Sequence, residues 1–300
     1  MRVLVTGAGG QLGSDLVDAF GGEVPPAGLR RALLGPPGPG PGVEVTAARH
    51  ETLNVAERTM VLEAFHRLRP HVVVHAAAWT DVDGCEGDPV RAYRVNALGT
   101  RNVTEAARLV GAHVVYVSTD YVFDGTKDAP YLEWDDPCPI SVYGRSKLAG
   151  EREATPAATV VRTSWVCGAR GHNMVKTALR LARSDAPLRF VDDQRGSPTF
   201  TADLAAAIVT LALDRRPGVF HVTNQGETTW YGFVRAVLRA SGRDPGRVEP
   251  ISSKELDPPR PAPRPANSVL ENAALRSSGL PLLPDWQDGL SRLVAALDAA

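Results

Sequence analysis

The sequence predicts an α/β fold, a doubly wound parallel sheet followed by a smaller C-terminal α/β lobe. Three observations carry this. Short β-branched runs alternate with amphipathic helical segments through the first ~168 residues. The chain begins with an apolar run, then a glycine-rich loop, then a helical pattern, the order that places a phosphate at a helix N-terminus. Beyond residue 168 the alternation loosens into helices joined by short strands and a Pro-rich connector, DPPRPAPRP.

Val3-Leu4-Val5 reads as a buried strand and Gln11 to Phe20 as a helix. Residues 21–42 contain GGEVPPAG and LLGPPGPGPG, which predict loop or partial disorder, with a short helical turn over 29–34 between them. Val43-Glu44-Val45 is a candidate second strand. Glu57 to Leu68 has helical periodicity and stops before Pro70. Val72-Val73-Val74 is a third strand, Pro89 to Leu109 a long helix, and Val114 to Val117 a fourth strand. Ile140 to Glu153 is helical and stops before Pro156, and Val160-Val161 begins a further strand. Helices are expected over 173–183, 202–213, 231–241 and 286–297, with short strands at 189–191 and 218–222. Ligands of such sheets bind at the carboxyl ends of the strands, so the loops after Val5, Val74 and Val117 should face one cleft. The expected division is 1–168 for a dinucleotide-binding domain, with parts of the later chain returning to it, and 169–300 mainly for a substrate lobe.

Composition excludes several classes. Net charge is −1 over 300 residues and the basic residues are scattered, which argues against nucleic acid as partner. Cys85, Cys138 and Cys167 have no CxxC spacing, as in a reducing compartment without a disulfide framework. No His/Asp/Glu cluster has metal-ligand spacing, so no metal is expected. The N-terminus fits a first strand better than a signal peptide, and no stretch nears the ~18 apolar residues of a membrane span. A soluble cytoplasmic protein is expected.

Two local patterns carry chemistry. Thr6-Gly7-Ala8-Gly9-Gly10-Gln11-Leu12-Gly13 gives GxxGxxG between strand and helix, where backbone N–H groups must approach a pyrophosphate closely. Tyr143 and Lys147 lie four residues apart on one helix face, so the ammonium is expected to lower the phenol pKa from ~10 and ready it for proton transfer. The carboxylate that usually meets the adenine ribose, about twenty residues on, is not evident, and the Pro/Gly insertion displaces the second strand. Arg49 and His50 follow the second strand, and a basic residue there accommodates a 2′-phosphate, which favours NADPH slightly over NADH.

TGAGGQLG, the HAAA run at 75–78, Asn96 in RVNALGT, STD at 118–120 and YGRSK at 143–147 resemble the extended short-chain dehydrogenase/reductases. AAAWTDVDGCE, STDYVFDG, YGRSKLAGE, RTSW, DDQRGSPT and RPANS narrow the resemblance to the dTDP-4-dehydrorhamnose reductase family, over nearly the whole chain. The resemblance implies a Rossmann domain with a sugar-nucleotide lobe, monomeric or homodimeric. It implies hydride delivery from NADPH, with NADH possible, to C4 of a dTDP-4-keto-6-deoxysugar.

It also implies site roles. Tyr143 is the proton donor, Lys147 holds the nicotinamide ribose, and Thr119 bonds the substrate oxygen. Gly7, Gly10, Gln11, Leu12, Gly13, Arg49, Asn54, Val55, Ala76, Ala77, Ala78 and Asn96 join Tyr143 and Lys147 on the cofactor side. Asp120, Tyr121 and Trp165 meet the sugar, and Asn173, Lys176, Arg195, Pro198, Thr199 and Arg264 serve the dTDP pyrophosphate and base. Asn54 stands where the family usually has aspartate, keeping an acceptor oxygen without the charge. Rival readings stay open: a reductase of another dTDP-4-keto sugar, an epimerase that keeps NAD tightly bound, or a non-catalytic regulatory subunit of the same fold. A dehydratase is disfavoured, since Thr119 is followed by Asp120-Tyr121 and not Asp-Glu.

Overall fold

The computed structural model describes residues 1–21, 42–154, 156–184 and 186–299. The helical turn expected over 29–34, and most of the Pro/Gly-rich stretch around it, lie outside the described residues. Gly21 is the last residue of the first helix and does not open the loop.

Six parallel strands form the central sheet: β1 (Arg2–Thr6), β2 (Glu44–Ala48), β3 (Val72–His75), β4 (His113–Thr119), β5 (Thr159–Thr163) and, from much later in the chain, β10 (Gly218–His221). Their order is β10-β5-β4-β3-β1-β2. The direction of build reverses between β1 and β3, and the carboxyl ends open a crevice there. Alternation along the strands explains the two faces. Val3, Val5, Val72, Val74, Val115 and Val161 pack with α1 (Gln11–Gly21) and Leu204, Ile208 and Leu211 on one side. Leu4, Val73, Val114, Tyr116 and Val160 pack with α2 (Arg58–Leu68) and Val103 and Ala106 on the other. A period of two sends successive side chains to opposite faces, and helices on both faces make both apolar.

The expected 89–109 helix is a composite. α4 (Pro89–Tyr93) runs through a π-helical turn at Arg94–Leu98 into α5 (Gly99–Val110). A short helix that the sequence did not disclose, α3 (Val82–Gly87), precedes it and starts on an Asp81 cap to the Gly84 amide. The Tyr143 helix, α6, spans Val142–Ala154.

A second, smaller core forms beyond β5. Phe233, Val237, Leu238, Trp286, Leu290 and Val175 are buried together. Its helices are α7 (Met174–Leu181), α9 (Trp230–Ala240) and α11 (Trp286–Asp298). Between them, α8 (Thr201–Leu213), β10 and the short α10 (Ala273–Ser277) return to the central sheet. Two-residue strands, β6 (Val166–Cys167), β8 (Arg195–Gly196), β9 (Thr199–Phe200) and β11 (Thr228–Thr229), were too short to leave a sequence period, whereas β7 (Leu188–Val191) pairs in parallel with β12 (Val248–Ile251).

Candidate active site

The loops after β1, β3 and β4 line one cleft of about 940 Å³, as the topology predicted. Gly7 and Gly9 to Gly13 enter it from β1, Ala76 to Thr80 from β3, and Val117 to Tyr121 from β4.

The glycine loop explains its own composition. A Cβ on Gly13 would lie 2.1 Å from the Gly7 carbonyl oxygen, and one on Gly7, whose φ is +72°, would lie 2.6 Å from the Ala77 amide. Loop, helix and the alanine run are therefore too close for side chains. Gly9 differs. A Cβ there would meet only the aliphatic part of Arg49, at 3.7 Å, so the exposed edge of the loop stays open to a ligand. Arg49 thus lies over the loop, with Asn54 and Val55 behind it on the same cleft wall. Asn54 Oδ1 accepts from the Ala56 amide at 3.1 Å. These residues fit a dinucleotide: bare backbone at a helix N-terminus, small residues opposite it, and a guanidinium at the far end.

Thr119, Asp120, Tyr143 and Lys147 meet where β4 ends. Lys147 Nζ donates to the Val117 carbonyl at 2.7 Å and sits 4.2 Å from the centre of the Tyr116 ring. Burial pulls its pKa down from 10.5 to about 7, and the Glu151 carboxylate one turn on opposes that fall. The Tyr143 phenol moves the other way from the sequence expectation. Burial pushes its pKa above 10, Thr119 counteracts as a hydrogen-bond partner, and the Asp120 charge adds to the rise. Helical adjacency brings ammonium and phenol to one face, but Lys147 is itself desolvated and committed to the Val117 carbonyl. Burial therefore wins.

Thr119 Oγ1 donates to Asp120 Oδ1 at 3.0 Å and accepts the Tyr121 amide at 3.2 Å. Burial raises the Asp120 pKa from 3.8 to about 7, while Ser268 and Thr119 hold part of the rise back. Asp120 Oδ2 and Thr163 Oγ1 are buried with no partner at hydrogen-bond geometry, and both residues line the cleft. The Tyr121 ring meets Tyr143 edge-on at 6.0 Å, and burial pushes its phenol up to about 12.

A buried ion pair fixes this corner. Arg162 on β5 grips Glu151 of α6 through Nε at 2.9 Å and Nη2 at 2.8 Å. Ser118, the neighbour of Thr119, donates to the same carboxylate at 2.6 Å. Helix, strand end and neighbouring strand are thereby tied at one point. Glu151 lies inside YGRSKLAGE, yet nothing in the spacing singled it out, since its partners are 33 and 11 residues away.

Other residues named from the sequence lie off the cleft wall. Asn96 sits in the π turn and is buried. Its amide bonds the Trp79 carbonyl at 3.1 Å and Ser146 Oγ at 2.9 Å, and its oxygen accepts the Trp79 amide at 2.8 Å. Asn173 caps α7 and donates to Gln11 Oε1 at 2.9 Å, joining the smaller core to the glycine-loop helix. Lys176 Nζ donates to the Ala169 carbonyl at 2.6 Å and that of Gly171 at 3.0 Å. Arg195 pairs with Glu227, both half-exposed. Pro198 and Thr199 are buried. Arg264 grips Asp83 at 2.7 and 2.8 Å and lies beside the Tyr121 phenol. The cleft also holds residues that the sequence did not single out: Trp79 with Arg91 over its ring at 4.3 Å, Ser164, Val166 and Trp230. Among the described residues no group of three or more His, Cys, Asp or Glu could hold a metal ion, and no helix is long and apolar enough to cross a membrane.

Comparison with known proteins agrees with this geometry. A family profile described as the RmlD substrate binding domain matches residues 1–299. The dTDP-4-dehydrorhamnose reductase of Mycobacterium tuberculosis (H37Rv) is 40% identical over 98% of this chain and 93% of its own. A dTDP-4-keto-6-deoxy-D-glucose reductase from Streptomyces niveus is 38% identical over 99% of this chain and 98% of its own. The crystal structure of dTDP-4-dehydrorhamnose reductase from Bacillus anthracis in complex with NADP superposes with a TM-score of 0.86, at 35% identity over 98% of this chain and 99% of the other. With a glycine loop, a Thr119–Tyr143–Lys147 corner and this similarity along almost its full length, the chain belongs to the dTDP-4-dehydrorhamnose reductase family of extended short-chain dehydrogenase/reductases.

Proposed function

We propose that this chain reduces the C4 ketone of a dTDP-4-keto-6-deoxysugar with NADPH, and that its substrate is dTDP-4-dehydro-L-rhamnose, giving dTDP-L-rhamnose. The observation that carries the reading is the convergence of Thr119, Tyr143 and Lys147 at the end of β4, inside a cleft continuous with the glycine loop. The relative of known complex binds NADP, and Arg49 over the loop supplies a partner for a 2′-phosphate. When bound, the nicotinamide supplies a hydride to the carbonyl carbon.

The chain supplies position and a proton. Gly7, Gly10, Gln11, Leu12, Gly13 and Ala76 to Ala78 hold the dinucleotide, with Asn54 and Val55 at its adenine. Thr119 directs its hydroxyl at the C4 oxygen, and the Tyr143 phenol donates a proton to that oxygen as it gains charge. The raised Tyr143 pKa keeps the phenol protonated and hence able to donate. Lys147, in a site where its pKa falls to about 7, exchanges a proton readily at neutral pH and holds the ribose hydroxyls. Asp120, Tyr121 and Trp165 face the sugar. Arg264 acts there through Tyr121, and Asn173, Lys176, Arg195, Pro198 and Thr199 shape the lobe for the nucleotide. The enzyme acts in the cytoplasm as monomer or homodimer.

NADPH oxidation by the purified protein with enzymatically prepared dTDP-4-dehydro-L-rhamnose tests the reading. Turnover is expected, with Tyr143→Phe lower in kcat by about 10²–10⁴-fold. No oxidation by the wild type would overturn this substrate assignment. Turnover with dTDP-4-keto-6-deoxy-D-glucose in preference would move the substrate to the one named for the Streptomyces niveus relative. Wild-type-like turnover by Tyr143→Phe would remove Tyr143 as proton donor.

A further inference from the structure

The motif AAAWTDVDGCE extends past the cleft. Trp79, Thr80 and Val82 line the cavity, whereas Asp83, Cys85 and Glu86, in α3, do not. That short helix lies against the first turn of α6. Cys85 is fully buried in one apolar cluster with Val142 and Tyr143, and Trp79, Val82 and Tyr121 pack around it. The Glu86 carboxylate accepts the Val142 amide at 2.7 Å. One turn earlier, the Asp83 carboxylate accepts the Ala262 amide at 3.0 Å and both terminal nitrogens of Arg264 at 2.7 and 2.8 Å. A helix of six residues therefore joins the Pro-rich connector to the helix that carries Tyr143.

The bond to Val142 falls where α6 needs one. The first amides of a helix have no partner within it. Ser141 serves two donors here. Its Oγ accepts the Gly144 amide at 3.1 Å, and its carbonyl accepts the Arg145 amide at 3.0 Å. The Val142 amide takes neither, and Glu86 supplies its acceptor from another element. A carboxylate also suits the positive end of the helix dipole better than a neutral acceptor does. The same turn fits tightly against the loop after β4. A Cβ on Gly144 would lie 2.1 Å from the Tyr121 carbonyl oxygen and 3.0 Å from Pro139 Cβ. Tyr143 thus projects from a turn that both α3 and this loop hold.

We propose that Glu86 is a positioning residue for the proton donor: it fixes the first turn of α6 through the Val142 amide, and with that turn the Tyr143 phenol. The Asp83–Arg264 clamp keeps α3 in place for this task. The inference rests on the functional reading above and deepens it. Glu86 does not line the cleft, so its loss should act on the proton-transfer step and spare ligand binding. A general acid must lie within hydrogen-bond reach of the oxygen it protonates, and a displacement of about 1 Å can cost ~10²-fold in rate.

Glu86→Met keeps the stem and loses the acceptor, whereas Glu86→Gln keeps an acceptor oxygen and loses the charge. Both are compared with wild type, with circular dichroism as the check on fold. In NADPH oxidation with dTDP-4-dehydro-L-rhamnose, Glu86→Met should lower kcat ~tenfold and leave KM for both ligands within ~twofold, while Glu86→Gln stays within ~threefold of the wild-type kcat. In hydrogen exchange, the amides at 142–145 should exchange ~tenfold faster in Glu86→Met and near the wild-type rate in Glu86→Gln, with α5 unchanged in both. Wild-type kcat in Glu86→Met, a change in KM alone, equal loss in both variants, or faster exchange in α5 as well as α6 overturns the inference. If Glu86→Met does not fold, Glu86→Ala takes its place with the same criteria. Wild type that turns over neither this substrate nor another dTDP-4-keto sugar would overturn the functional reading instead, and the exchange pattern still decides whether Glu86 fixes the turn.

Discussion

The reactive end of the sheet and the smaller core use polar residues in opposite ways. At the end of β4, Thr119, Asp120 and Lys147 are almost wholly buried, yet each lines the cleft. In the smaller unit, Arg195, Lys176 and Arg264 are engaged with Glu227, backbone carbonyls and Asp83. What that unit turns to the cleft is mainly aromatic, Trp230 against Trp165. Chemistry demands groups fixed to fractions of an ångström, which buried networks on strand ends provide. The difference teaches that polar groups are sunk into the fold at the reactive end and paired among themselves in the smaller unit, while relatives of similar identity are named for different dTDP-4-keto sugars.

Breaking the buried ion pair should strain that contrast most. Arg162→Met leaves Glu151 buried without its bidentate partner and should cost about 3–5 kcal/mol in urea unfolding, with activity falling as Tyr143 and Thr119 lose their common anchor. A variant of near wild-type stability would show that the pair does not fix the corner. Gly13→Ala places a Cβ 2.1 Å from the Gly7 carbonyl and should cost about 1–3 kcal/mol while weakening NADPH binding, as followed by cofactor fluorescence.

The pH dependence of stability sharpens the same contrast. Asp120 binds its proton more tightly folded than unfolded, so its contribution is full below pH 3.8 and is lost as pH rises through about 7. Lys147 binds its proton less tightly folded, so its charge costs stability at low pH. That cost is relieved as pH rises from about 7 to 10.5. Asp120→Asn should therefore gain stability relative to wild type as thermal melts move from pH 4 to pH 7. A constant difference across that window would show that Asp120 does not titrate there. The smallest effect belongs to the smaller unit. Arg195→Ala breaks a half-exposed pair with Glu227 and should change stability by less than about 1 kcal/mol. A larger loss there would mean that its surface pairs are structural after all.

The sequence was legible where local rules act. The strand–loop–helix at 2–21 and the strands at 72–75 and 113–119 follow from period and breakers, and the GxxGxxG spacing marks the closest backbone contacts in the loop. The π turn at Arg94–Leu98 stayed hidden, because it keeps the helical pattern of side chains while adding a residue to one turn. Two-residue strands such as β8 and β11 carry no period to read. The Glu151–Arg162 pair and the Trp165–Trp230 stack stayed hidden for a different reason: neither residue's type or spacing distinguishes it until the chain folds back.

By itself the sequence determined the doubly wound sheet and the cleft at its carboxyl edge, since both follow from periodicities and glycine spacings a few residues long, while Thr119, Tyr143 and Lys147 were named together through the resemblance of their motifs. The tertiary structure alone decided the proton affinities of Tyr143, Lys147 and Asp120 and the stacking of Trp165 on Trp230. Burial and long-range contact set those properties, and burial overrode the effect expected from a lysine four residues from a tyrosine.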